Sequence, residues 1–218
     1  MFTEDVNMVK NNQNFLTMTP FKFLKSLIRT LFILSALVLP FKSFAFIPSL
    51  LVTDARKQIG MTLFYDPAYT QLSYPLGDVP LIKGVCTDVI VRALRLQGID
   101  LQQQIHEDMK ANFKRYPQKW GLKAPDSNID HRRVPNIMTY FKRQGYEVKD
   151  GKFLAGDIVA WDLGNGLTHI GVVSNKKNAS NKAPLIIHNI GEGTQENDIL
   201  HAYKIIGHYR IKADKFRI

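Results

Sequence analysis

GDIVAWDLGNGLTHIGVVSNKKNASNKAPLIIHNIG, residues 156–191, decides the fold. Its runs GDIVAW, LTHIGVVS and APLIIHNIG are short, rich in β-branched residues and separated by turn formers, which is how consecutive strands read. HAYKIIGHYRI, residues 201–211, closes the chain in the same style. The residues before Gly151 follow a different period. Leu51, Ala55 and Ile59 share a face over 49–60, with Gly60 as the stop. Val85, Val89, Ala93 and Leu96 share another in VCTDVIVRALRLQG, which Gly98 ends. Leu101, Ile105, Met109 and Phe113 mark a helix over 101–115, and Pro135 opens a short one with Ile137, Tyr140 and Phe141 inward. Residues 61–84, rich in Pro, Gly and Tyr, read as an extended loop. Helices first and strands second predict an α+β domain, its amino-terminal helices packed on a carboxy-terminal antiparallel sheet.

Residues 18–45 stand apart from that pattern. Lys22, Lys25 and Arg29 precede an apolar run from Leu31 to Leu39, and Ser43 and Ala45 follow as small residues on either side of Phe44, as at a cleavage site. This order is that of a secretory signal peptide. It predicts a signal over 1–45, preceded by a dispensable polar start, and one domain over 46–218 that is periplasmic or secreted. The run is short of the roughly 20 residues a span needs, so contact with a membrane is expected only through this segment, if it stays uncleaved. Removing 1–45 takes away five Lys or Arg and two acidic residues, lowering the net charge from +10 to +7. That suits an anionic surface such as cell wall. The basic residues are scattered and form no nucleic-acid module, so no nucleic-acid partner is expected. No oligomer signal is present, and a monomer is expected.

The chain holds one cysteine, so an exported domain here has no internal disulfide. Cys86 falls where its helix begins, among free backbone N–H groups that favour thiolate and can hold an oxyanion. A thiol pKa below the free value of about 8.5 is the expectation at such a site. Thr87 and Asp88 read as first-turn caps. The general base has to come from the strands. A hairpin centred between Asn178 and Ala179 sets His169 opposite His188, and one centred on Ala179 sets Asn189 there instead; both choices stay open. Either partner would orient the His169 ring. His106, His201 and His208 read as surface or structural.

At these residues the chain resembles a known group. GVCTDVIVRAL, GDIVAW, THIGVVS and IIHNIG are similar to the NlpC-type cell-wall peptidases of the papain-like superfamily, matching at Cys86, Gly156, Asp157, His169, Gly171 and His188 in order. The longer string YDPAYTQLSYPLGDVP…GVCTD…NIDHRRVPN…GDIVAWDLG…THIGVVS resembles still more closely the bacterial family catalogued as domain of unknown function 1287. The resemblance implies a papain-like fold with Cys86 as nucleophile, His169 as base and His188 as the third catalytic residue. It implies a hydrolase acting on peptidoglycan or peptide, with no cofactor and no metal. The chain departs from the NlpC-type Asp-Cys-Ser-Gly motif, having Val85-Cys86-Thr87-Asp88. Tyr65 and Tyr74 are candidates for the active-site tyrosine common in that group. Asp88, Asp126, Asp130, His131 and Arg132 are carried as candidate substrate contacts. Three alternatives accompany this reading: acyl or peptidyl transfer on the same fold, a non-catalytic wall-binding module, and a zinc site built from Cys86, His169 and His188.

Overall fold

A computed structural model describes residues 46–212. The expected signal segment, 1–45, lies outside the described residues, and among those described no helix is long and apolar enough to cross a membrane.

Four α-helices, α1 (Pro48–Arg56), α2 (Cys86–Arg95), α3 (Leu101–Asn112) and α4 (Val134–Arg143), precede the main sheet. Before α2 the chain makes a two-stranded parallel ribbon of β1 (Phe64–Tyr65) and β2 (Lys83–Gly84), where an extended loop was expected. Then come β3 (Ile158–Gly164), β4 (Leu167–Lys177), β5 (Pro184–Asn189), β6 (Thr194–Asn197) and β7 (Lys204–Tyr209). These five form one sheet in the order β6-β5-β4-β3-β7, every pair antiparallel. The expected α+β class and helix-then-sheet order are therefore present.

Both faces of the sheet are covered, which explains why its strands read as unbroken apolar runs. Ile158, Ala160, Ile170, Val172 and Ile187 join the helices in one core. Val159, Trp161, Val173 and Ile186 meet Leu200 in a second core on the other face. Helix α2 lies inside the first core, with Cys86 through Leu94 all buried. Each fully buried aliphatic side chain there is worth about 1.5–3 kcal/mol over exposure. Helix α1 is bolted to the far strands by its last residue. The Arg56 guanidinium donates to Glu196 on β6 and to Ser174 and Asn175 on β4.

The boundaries differ from expectation where a helix ends early. α1 stops at Arg56 and a turn follows, which turns Ile59 out to 39% exposure. α2 stops at Arg95 and leaves Leu96 63% exposed, so neither residue is on an inward face. The helix expected over 101–115 tightens to a 3₁₀ turn at Phe113–Arg115.

Candidate active site

The amino terminus of α2 is fixed by a carboxylate. Asp88, three residues past the cap, accepts the Val85 N–H at 2.7 Å, closing the first turn beside Cys86. Arg132 then locks that carboxylate with two bonds, Nε to Oδ1 at 3.2 Å and Nη2 to Oδ2 at 3.0 Å. Both side chains are almost wholly buried. The same guanidinium donates to the Ala68 and Asp66 carbonyls, so it ties the loop after β1 to the start of α2. Gly84 precedes this turn because a Cβ there would stand 3.1 Å from both the Asp88 carboxylate and the Arg92 guanidinium.

The sulfur of Cys86 meets the sheet at β4, where the Ile170 N–H stabilises its anionic form. That amide is available because β4 and β5 part at this end. Their pairing runs from Lys177↔Pro184 to Val172↔Ile187 and is not continued toward His169. Asn189 takes up the other side of the gap, donating to the Gly84 carbonyl at 3.1 Å.

One residue before Ile170, the His169 Nε2 lies 3.0 Å from His188 Nδ1. Both rings are buried, and Trp161, the residue opposite His169 on β3, stacks on it with centroids 5.7 Å apart. The two histidines meet along a diagonal rather than directly across the ladder. The register places His188 two positions from the expected pairing, which keeps it on the His169 face. The turn accounts for the shift. Asn178 Oδ1 accepts from Ser180, Lys182 and Ala183, and Asn181 takes a φ of 57°, so the reversal falls later in the chain. Gly171 makes room for His188, since a Cβ on it would stand 3.1 Å from the His188 Cβ and 2.6 Å from Ile186. Of the two open choices for the partner of His169, His188 contacts its ring and Asn189 is tied to the β1–β2 ribbon.

Charge is held off this site. Burial pushes the Cys86 thiol up to about 12, against the amides of Ile170, Thr87 and Cys86 itself, while Asp88 adds to the rise. Burial and then the neighbouring His188 push His169 down to about 3, and burial brings His188 to about 4. The expected low thiol pKa is therefore reversed. Desolvation of a sulfur 4% exposed outweighs the helix terminus and its amides. At neutral pH the site rests as thiol and neutral imidazole.

Cys86 opens onto a cleft of about 370 Å³. Tyr65, Tyr69, Trp120, Arg132, Arg133 and Thr168 are among the residues of its wall. Of the expected substrate contacts, Tyr65 and Arg132 reach this wall; Asp88 sits beneath it as the partner of Arg132. The other four do not line it. Tyr74 donates to Glu107 and packs edge-on against His106. Asp126 accepts from Tyr69 and from Asn128. Asp130 is buried against His106 and the Asp126 N–H. His131 is buried too, its pKa brought down to about 4 by desolvation. Asp157, in the matched GDIVAW string, fastens β7 by accepting from His208 and Arg210. His106 and His208 are thus structural, as expected, and His201 is exposed.

Trp161, Trp120 and Arg133 were not singled out from sequence. Trp161 could have been found from its place in the strand before His169; Arg133 had only the doubled Arg before Val134-Pro135 to mark it. The zinc alternative finds no support in the geometry: among the described residues no three His, Cys, Asp or Glu side chains gather as a metal would require.

Comparison with known proteins adds two findings. The family model described as "Domain of unknown function (DUF1287)" matches residues 52–211. The chain is similar to an uncharacterized protein, YijF, of Escherichia coli (strain K12), at 60% identity over 160 residues, which is 72% of this chain and 78% of that protein.

Proposed function

The chain belongs to the DUF1287 family, and from the residues it brings together we propose an exported cysteine hydrolase of papain-like type that cuts amide bonds in peptidoglycan stem peptides or cross-links. The observation that carries this is the imidazole pair. His169 is oriented through Nε2 by His188, shielded by Trp161, and adjacent in the chain to the amide that meets the sulfur of the protein's single cysteine. Nothing in simple packing calls for two buried histidines bonded to each other there, at a cost in desolvation.

The chemistry follows from the nitrogen that remains. With Nε2–H donated to His188 Nδ1, His169 keeps an unprotonated Nδ1 as the base. Since the resting pair is neutral, His169 takes the thiol proton as the sulfur attacks the substrate carbonyl. The imidazolium formed is steadied by the neutral His188 acceptor. The developing oxyanion is met by the Cys86 N–H and the Tyr65 hydroxyl. Tyr65 lines the cleft, and burial, followed by the charges of Cys86 and Asp88, raises its pKa to about 12, so it stays a donor. His169 then protonates the leaving amine, an acyl-enzyme forms at Cys86, and water activated by His169 releases the acid. No step needs a metal or an organic cofactor. A periplasmic or secreted location and a monomeric state complete the proposal.

Mass spectrometry of purified muropeptides before and after incubation tests it. Wild-type protein should release new amino or carboxyl ends; Cys86→Ala and His169→Ala should release none while remaining folded. His188→Ala should keep a residue of activity, because a loosely held base still acts part of the time. Tyr65→Phe should lower kcat by about a hundredfold if its hydroxyl meets the oxyanion. Products joined to an added amine in place of water would move the reaction to transfer. Equal binding to sacculi by all variants, with no cleavage, would leave a wall-binding module in its place.

A further inference from the structure

Arg133 stands in the wall of the Cys86 cleft and has no part in the chemistry above. Its guanidinium carbon lies over the Trp120 ring, 4.1 Å from the centroid, a cation–π contact. Nη1 is buried and has no hydrogen-bond acceptor among the described residues. Desolvation lowers the Arg133 pKa, against the pull of Asp130 and Asp126. Asp130 Oδ2 is bonded to His106 and the Asp126 amide while its Oδ1 has no partner among the described residues, and Asp126 accepts from Tyr69 and Asn128. The neighbouring cation, Arg132, is committed to Asp88. Arg133 Nη1 thus lacks an acceptor even with two carboxylates near enough to raise its pKa, and a buried donor without a partner is costly.

We propose that Arg133, braced on Trp120, receives a free carboxylate of the substrate. This rests on the hydrolase reading for the reaction but not for the binding. A planar guanidinium matches one carboxylate by two parallel bonds. The cleft's 370 Å³ is at the small end of ligand sites, which run from about 300 to 1,000 Å³. Arg133 and Cys86 line the same small cleft, so the carboxylate and the amide that is cut belong to one short stretch of substrate. In a stem peptide two groups qualify: the carboxy-terminal carboxylate and the free α-carboxylate of a γ-linked glutamate.

Calorimetry on the Cys86→Ala protein tests this without catalysis. The probes are four forms of an acetylated stem-type tetrapeptide (L-Ala, γ-linked D-Glu, L-Lys, D-Ala): both carboxyls free, either one amidated, and both amidated. Amidating one particular carboxyl should weaken binding about tenfold or more, the range of a charge-assisted bond, and so identify which source is used. In Cys86→Ala/Arg133→Gln that preference should vanish, while Arg133→Lys in the same background should keep part of it. Equal affinity for all four forms, no measurable binding, or a preference that survives Arg133→Gln would each overturn the proposal. Should the glutamine variant misfold, the comparison of the four peptides on Cys86→Ala decides alone. The two readings separate cleanly. Wild-type hydrolysis indifferent to amidation would remove the carboxylate site and leave the hydrolase, and carboxylate-dependent binding without hydrolysis would do the reverse.

Discussion

Replacing Arg132 by Met should be one of the most damaging single changes in the domain, although Arg132 is not assigned a chemical step. The substitution leaves the Asp88 carboxylate, 3% exposed, with the Val85 N–H as its remaining partner. It also frees the Asp66 and Ala68 carbonyls that held the loop after β1. Removing one member of a buried pair costs about 3–5 kcal/mol, chiefly the penalty of the charge left behind. For a domain of this size each kcal/mol lowers Tm by about 2–4 °C, so a fall of about 6–20 °C is expected. The origin of the loss is separable. Asp88→Asn keeps an oxygen for Val85 and removes the stranded charge, so Asp88→Asn/Arg132→Met should melt well above Arg132→Met alone. Differential scanning calorimetry of wild type, both single variants and the double variant gives the full cycle. A single variant Arg132→Met within about 2 °C of wild type, or losses that simply add, would refute the claim that this pair anchors the α2 start.

Three further outcomes follow from the site. With burial holding the thiol up to about 12 and His169 down to about 3, iodoacetamide labelling of Cys86 should be slower than that of free cysteine and should keep rising from pH 7 to pH 10; a plateau below pH 7 would mean a resting ion pair instead. His169 and His188 are held neutral far below the usual histidine value, so the unfolded chain binds protons that the folded one does not as pH drops under about 6.5. Urea stability should therefore decline by up to about 1.4 kcal/mol per pH unit for each ring, and a His188→Gln variant with an unchanged slope would contradict this. Gly171→Ala puts a methyl against Ile186 and the His188 Cβ and should cost about 1–3 kcal/mol while lowering activity; wild-type values for both, from chemical denaturation and turnover, would show that the strands yield there.

What the sequence disclosed divides along physical lines. The apolar periods located all four helices and the strands β3, β4, β5 and β7, because both cores are built from those residues. They missed β6, whose residues TQEN carry no apolar alternation and pair only at the sheet edge. The likeness to the DUF1287 family was legible from strings along the chain, and the family match covers that stretch. His188 was legible only as one of two partners for His169, beside Asn189; their diagonal meeting was not, since it depends on where Asn178 collects its hydrogen bonds. Asp88, Asp130 and His131 read as cleft residues because polar side chains near a nucleophile suggest contact with substrate. Burial, which makes them structural, depends on a loop packing 40 residues away from Cys86 in the chain. Arg133 and Trp120 share no period at all and become neighbours only when that loop closes.

The Arg56 guanidinium bears on how the domain comes apart. It ties the last turn of α1 to β4 and β6 together, across 140 positions of chain to Glu196. An amide on α1 can therefore exchange with heavy water through a large opening only when the distant edge strand lets go as well, so the two segments should share one protection factor. A bond of such span also forms late, because loop closure has to precede it. The nascent domain stays incompletely latched until β6 is present.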